Sequence, residues 1–404
     1  MGYQVTYVVP EEFEEFLTRQ LFNVFIYEKP VAARPRSYLK RLRTLYINAR
    51  TRDQILKDYS LKLVMHFKPV LILIDSDVPR YAAVLKDKAN LVMYSTTLGN
   101  SREANIPPYF SSYIPVNNLL SVLYVKAIWQ LWLIKKQLYF LKYELLSLGH
   151  FDHSLKRYCR KNNLNKKTLD IQRAWPTGFR DLPELLFYPR EFDFNKTRPT
   201  KNKYYLGPMV DLSRVETGDF AWDKIQFRKY LVCCSMGTLA RFHYKGIDSF
   251  YNVLIQAVKN QEHITLLIAG SGKDPVPDID HAENVFLFPK LPLLNILKRC
   301  DLFINHAGIN SVKEAILTGV PMLLLPLNNQ TDQNGVAARC VFHGIAKRRN
   351  IRKISPETLA ADISDLVTNP HYKTCVHRLQ KIFNDAAVGM DALLQQVQQK
   401  TINS

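Results

Sequence analysis

Between residues 229 and 342, short apolar runs alternate with helical patterns, and this alternation constrains the fold more than any other feature of the chain. The runs at 229–234, 264–269, 284–288, 301–305 and 320–325 read as strands. Helical patterns at 246–259, 293–298, 310–318 and 332–342 lie between or after them. Strands without polar alternation are buried on both faces, so the pattern predicts a parallel sheet with crossover helices. Ligands in such sheets sit beyond the carboxyl ends of the strands. The residues that follow each run are therefore the candidates for chemistry.

The fourth run continues as Asp301-Leu-Phe-Ile-Asn-His306-Ala-Gly308-Ile-Asn310-Ser311-Val-Lys-Glu314, which reads as strand, tight turn and helix start. Gly308 permits close backbone approach or a positive φ. Asn310 or Ser311 can cap the helix. The first-turn N–H groups and the positive end of the dipole favour a diphosphate, and His306 adds a donor. A plainer reading stands beside this one: Ser311-x-x-Glu314 also spells a capping box, which needs no ligand and would engage Glu314 at the cap. Two more loops bear on the choice. Ser235-Met-Gly237-Thr238 follows the first run and Asp332-Gln333 follows the fifth. On a parallel sheet all three can converge on one crevice.

Residues 230–344 resemble the donor-binding region of the family-1, UDP-glycosyltransferase-like glycosyltransferases. The resemblance is carried by His306-Ala-Gly308-Ile-Asn310-Ser311-x-x-Glu314 and Gly319-Val-Pro-Met. It implies that His306, Gly308 and Ser311 hold a diphosphate, Glu314 a ribose, and Asp332 and Gln333 a sugar, with 235–238 lining the cleft. Three departures fall here. Ala307 replaces a second Gly, Leu293 replaces a Gln (leaving the Leu291 backbone to meet the base), and two extra residues precede Asp332, with Val336 where an Asn is usual. The implied fold is α/β and GT-B-like: two Rossmann-like domains whose parallel sheets face each other across a cleft. Residues 1–215 would form the acceptor domain, 216–385 the donor domain and 386–404 a tail. The implied reaction is inverting, metal-independent transfer from a UDP- or dTDP-sugar to an acceptor hydroxyl, with no cofactor.

The N-terminal half is less regular. Strands are expected at 4–9, 69–74 and 91–94, a basic helical region at 38–66, and a linker at 198–222. Weaker similarity to bacterial members covers 68–75, 186–193 and 205–208. Family members open with a strand, a Gly-His loop and a helix; here 3–10 resembles the second strand, so the base-bearing loop is expected to be absent. Asp75 stands where the family has the acid that orients its histidine, although a strand-end carboxylate capping a turn reads the same way. Asp75-x-Asp77 resembles a metal-binding DxD of a different fold, and no metal is expected. His66, His243 and His306 lack the context of a base. A working transferase, a non-catalytic nucleotide-sugar-binding protein and a membrane-surface protein all stay open.

The net charge is +19. Residues 34–57 carry eight basic residues and one acidic. A second cluster is Lys156, Arg157, Arg160, Lys161, Lys166 and Lys167. This charge is read as a solvated surface or an anionic membrane face; no nucleic-acid motif accompanies it. Segment 119–148 interleaves Tyr124, Trp129, Trp132, Tyr139 and Phe140 with lysines. It fits a membrane interface, the wall of an apolar acceptor cleft, or an amphipathic core helix. The acceptor is accordingly expected to be an apolar small molecule or a lipid. The longest apolar stretch, 119–134, is broken by Lys126, and the start lacks a basic region followed by an apolar run, so neither a membrane span nor a leader is expected. Six cysteines without a CxxC pair read as reduced thiols in the cytoplasm, with contact to the inner membrane face as an option.

Overall fold

A computed structural model describes residues 4–27, 56–146, 155–194, 202–214, 216, 220, 222–238, 240–270 and 282–386. Most of the basic run 34–57, parts of the expected linker (198–201, 215, 217–219 and 221) and the tail beyond 386 lie outside the described residues.

The N-terminal half contributes β1 (Thr6–Pro10), α1 (Glu14–Thr18), β2 (Asn23–Tyr27), a helix α2 over 56–67, β3 (Ile72–Asp75), α3 (Pro79–Leu85), β4 (Leu91–Ser95), α4 (Leu119–Leu146), α5 (Leu155–Lys161), β5 (Leu169–Asp170), β6 (Gly178–Phe179), β7 (Glu184–Leu186) and β8 (Lys203–Tyr205). The expected single sheet is instead divided. β1 and β2 pair in parallel by themselves, while β3-β4-β7-β8 form a second, wholly parallel sheet. Among the described residues no strand joins the two, so β3 is an edge strand, and Leu73 on it is exposed.

The C-terminal half follows the predicted alternation. It comprises β9 (Tyr230–Ser235), α6 (Ala240–His243), α7 (Ile247–Val258), β10 (Ile264–Ala269), β11 (Val285–Phe288), α8 (Leu293–Leu297), β12 (Leu302–Asn305), α9 (Ile309–Leu317), β13 (Met322–Leu324), α10 (Gln333–Phe342), β14 (Ala346–Arg348), α11 (Pro356–Thr368) and α12 (Pro370–Asp385). Six parallel strands run in the order β11-β10-β9-β12-β13-β14. The inner strands β9, β10, β12 and β13 are mainly apolar because both faces are covered, whereas the edge strand β14 carries Lys347 and Arg348. Leu231 and Cys233 enter one core and Val232 and Cys234 the other, as the two-residue period of a strand dictates. Helix α7 buries Ile247, Phe250, Tyr251, Leu254, Ile255 and Val258, the spacing of one helical face. All six cysteines are buried and unpaired.

The halves share a core. Leu98, Leu186, Tyr188 and Phe192 from the first pack in one cluster with the α9, α10 and α12 side chains of the second. Phe192 stacks on His343 at 5.8 Å and meets Phe383 edge-on at 5.7 Å. Arg339, almost wholly buried on α10, donates from Nε and Nη2 to Asp193 Oδ1 at 3.0 and 2.6 Å.

Candidate functional site

The strand order sets the site. From β9 the chain moves outward through β10 and β11, then returns to the other side for β12, β13 and β14. The crevice between β9 and β12 is thus the topological switch point, where open α/β sheets bind ligands. Ser235 and Asn305 are register partners at the ends of these two strands, and Leu325 N donates to Asn305 O at 2.8 Å on the other side. The loops at 235–238, 306–308 and 325–333 therefore leave the same edge of three neighbouring strands.

His306 is the centre of that edge. A Cβ at Gly237 would lie 2.6 Å from its Cε1, and one at Gly308 would lie 2.6 Å from its Nε2, so the ring lies against two glycines. Burial, reinforced by His243, pushes its pKa down to about 4, so the imidazole is neutral at pH 7. Its Nδ1 is buried with no partner in the protein. Of the two roles open to Gly308, it fills that of close approach, since its φ of −66° is one that any residue adopts. The left-handed residue is Ala307, with φ 64°. Its strain, about 1–2 kcal/mol for a non-glycine residue, is offset by the hydrogen bond that its N–H donates to Asn305 Oδ1 at 2.8 Å.

The helix cap also differs. Gly308 is the N-cap of α9 and no side chain caps it. Asn310 and Ser311 lie inside the first turn, so neither is the cap, and the capping box does not form. An uncapped first turn on a nine-residue helix leaves N–H donors and the positive dipole end directed at the crevice.

Glu314, one turn further, is mostly buried, and its Oε1 accepts from Arg214 Nη1 at 2.7 Å. Arg214 also donates from Nη2 to Glu216 Oε1 at 3.0 Å, and Glu216 Oε2 accepts from Asn295 N at 3.2 Å. The connector thus crosses from α9 to the start of α8 over the donor side. Leu291, between β11 and α8, is buried in the core, while Thr238 is exposed and Ser235 half-buried.

Asp332 and Gln333 begin α10. Asp332 is buried, its Oδ2 has no partner, and desolvation raises its pKa to about 6. The Gln333 side-chain carbonyl is engaged in its own loop, accepting from Leu327 N at 2.7 Å and Asn328 N at 3.1 Å. The N-terminal half closes over this point. A Cβ at Gly335 would sit 1.8 Å from the Tyr109 carbonyl oxygen, so only glycine admits that loop. The Tyr109 hydroxyl is pushed up to about 12, by burial first and then by the charges of Asp332 and Asp77. The same Asp77 charge raises Asp332.

On the acceptor side, Asp75 Oδ1 accepts from Asp77 N at 2.9 Å, which is the turn-capping reading. The other histidines lie elsewhere: His66 packs on Phe25 and Phe67, and His243 Nδ1 lies 3.3 Å from Asn328 Nδ2. Asp77 lines a cavity of about 260 Å³ with Tyr81, Phe140, Leu155, Trp175 and Thr177. The Phe140 and Trp175 rings lie 5.4 Å apart. Desolvation at the cavity wall and then the neighbouring Asp75 charge raise the Asp77 carboxyl above the usual range. Helix α4 thus supplies a cavity wall, one of the three readings of segment 119–148. Asp77, Tyr109 and Arg214 were not singled out for these positions in the sequence, since each reaches the cleft only through packing between halves. No cluster of three or more metal-ligating side chains occurs among the described residues, and no described helix is long and apolar enough to cross a membrane.

Residues 256–393 match the model of the family described as UDP-glucoronosyl and UDP-glucosyl transferase. The match includes His306, Glu314 and Asp332 but not 235–238. The uncharacterized UDP-glucosyltransferase YojK of Bacillus subtilis is 27% identical over 200 residues, covering 49% of this chain and 47% of that protein. The NDP-glycosyltransferase YjiC of Bacillus licheniformis is 28% identical over 152 residues, covering 38% and 37%. The chain therefore matches about half, or less, of the length of these curated relatives. Among solved structures, the kitacinnamycin glycotransferase superposes with a TM-score of 0.71 at 18% identity, over 98% of this chain and 92% of that one. The calicheamicin glycosyltransferase CalG4 gives 0.61 at 16% identity, over 98% of this chain and 91% of that one. At such identities these likenesses concern the fold, which is the GT-B arrangement of two Rossmann-like halves.

Proposed function

We propose that this chain, a relative of the family-1, UDP-glycosyltransferase-like glycosyltransferases, transfers a sugar from a UDP- or dTDP-sugar to a hydroxyl of an apolar small molecule or lipid, without a metal and with inversion. One observation carries the reading: the uncapped first turn of α9 and the neutral, glycine-flanked His306 meet at the switch point of the sheet. Backbone donors and an imidazole N–H suit a diphosphate and need no cation. Asp332, a buried carboxylate with an orphaned oxygen, suits sugar hydroxyls, which would restore its missing hydrogen bonds. Glu314 reaches a ribose by exchanging the Arg214 contact for it, while Arg214 keeps Glu216 as its partner. The aromatic cavity supports an apolar acceptor. In the reaction the acceptor oxygen bonds to the anomeric carbon as the bond to the diphosphate oxygen breaks on the opposite face. Asp77, at the cavity wall, is the carboxylate positioned to take the hydroxyl proton.

A second reading has its own observation. No described histidine contacts Asp75, so the chain can bind nucleotide sugar without turnover. A screen of UDP- and dTDP-sugars against flavonoid, polyketide and diacylglycerol acceptors, read by mass spectrometry beside donor thermal shifts, separates the two. Glycosylated product supports transfer, donor binding without product supports the second reading, and absence of both rejects the site.

A further inference from the structure

Helix α4 has two apolar faces. One packs into the protein through Val125 and Trp129, with Trp129 Nε1 donating to Ile106 O at 2.8 Å, Trp132 Nε1 to Ala174 O at 3.2 Å, and Lys136 Nζ to Arg173 O at 3.0 Å. The opposite face is exposed, with the Tyr124 ring resting against Tyr113 at 4.7 Å. It carries Leu120, Ala127, Ile134 and Leu141 in one row and Tyr124, Leu131, Leu138 and Leu145 in another. The spacings alternate four and three without interruption, which is the a/d pattern of a heptad repeat. All but Ala127, itself exposed, are 53–77% exposed.

The geometry points to a second copy of this chain as the occupant, paired in parallel along α4 as a two-stranded coiled coil. Three observations favour it over a lipid surface. A strict 3.5-residue repeat drifts by about 20° per heptad around a straight helix, which a partner helix follows by supercoiling and a flat bilayer does not. The repeat is sustained over eight successive a and d positions, the length at which a heptad pattern argues for a coiled coil, with Leu119, Leu123 and Tyr139 exposed beside it. Its two borders also differ: Gln130 and Gln137 line one, Lys135 and Lys142 the other. In a parallel pair each glutamine of one copy faces a lysine of the next heptad in its partner, a hydrogen-bonding match. An antiparallel pair instead brings the lysine borders together. Residues 120–145 extend roughly 39 Å at 1.5 Å per residue. Joining two such seams buries on the order of 1,600 Å², the size of a standard specific interface. Because the other face of α4 walls the aromatic cavity, the pairing would also brace that wall.

Sedimentation velocity at micromolar concentration should give twice the chain mass. The double variant Leu131→Glu/Leu138→Glu, changed only at exposed positions, should sediment as a monomer with unchanged circular dichroism. Ala127→Cys should crosslink to itself under mild oxidation, since the six native thiols are buried. A monomeric wild type overturns the inference, including one that co-sediments with phosphatidylglycerol vesicles through these leucines. A dimer that survives the double substitution also overturns it, as does a dimer lost to it in which Ala127→Cys fails to crosslink. If the glutamate variant does not fold, the crosslink alone decides.

Discussion

Gly237 lies so close to His306 that a Cβ on the glycine would come within 2.6 Å of the imidazole Cε1, and Gly237 also holds a φ of 83°. Gly308 approaches the same ring as closely, but from an ordinary φ. The two glycines therefore predict different mutational behaviour. Gly308→Ala should cost about 1–3 kcal/mol by overpacking, and most of that should vanish in a His306→Ala background. Gly237→Ala adds about 1–2 kcal/mol of left-handed strain, which should persist when the ring is removed. Chemical denaturation of the single and double variants checks both, and full rescue of Gly237→Ala would contradict the strain.

His306→Ala should abolish the thermal shift given by UDP or dTDP while the folded spectrum is retained. The ring adds a side-chain donor beside an uncapped helix start, so its loss removes a group that completes the anion site. A shift of undiminished size would place the nucleotide elsewhere.

The pH dependence divides between two residues with opposite signs. Asp332 is raised from 3.8 to about 6, so the folded state holds its proton longer than the unfolded chain. Its contribution to stability falls as pH rises from about 4 to 6 and is level above that. Asp332→Asn should therefore match wild type near pH 4 and exceed it above pH 6 by on the order of 2 kcal/mol, yet bind donor sugar more weakly. His306 is lowered from 6.5 to about 4, so the unfolded chain takes up a proton first as pH drops. Stability is lost between about pH 6.5 and 4 on that account, and His306→Ala should remove the loss. Melting curves from pH 4 to 8 for the two variants separate the effects that offset each other in the wild type.

Asp77→Asn should lower turnover by about 100-fold or more, the scale of a general base. Because the side chain is exposed and lines the cavity, melting temperature and donor affinity should stay near wild type. Steady-state kinetics beside a donor titration checks the split; unchanged turnover would remove Asp77 from the chemistry.

Arg339→Ala should leave the Asp193 carboxylate buried without its partner and cost about 3–5 kcal/mol. Replacing both residues, as Asp193→Asn with Arg339→Met, should cost less than the sum of the single changes. Urea unfolding of the three variants measures the coupling between halves.

The donor half was legible in the sequence because its information is local. The runs at 264–269 and 301–305 are buried on both sides of a sheet, and that burial writes itself as mainly apolar runs without polar alternation along β10 and β12. The turn after β12 was legible as a phosphate-type loop for the same reason, although its details were misassigned. The left-handed position falls on Ala307, leaving Gly308 its close approach to His306, and the cap falls on Gly308 rather than Asn310 or Ser311. Spacing marks a tight turn but does not say which residue absorbs the rotation. The short strands β2, β7, β8 and β14 were not read, since three to five residues carry little periodicity.

The sequence by itself determined the parallel donor sheet and the loops that end its strands, both of which follow from patterns a few residues long. Only the tertiary structure decided that Arg214 holds Glu314, that Tyr109 and Asp77 face Asp332, and that Asp193 locks onto Arg339. These contacts join residues about a hundred or more positions apart or on opposite halves, where partners are selected by packing and desolvation. No local pattern encodes such a choice, because the energy of each contact depends on what else is buried around it.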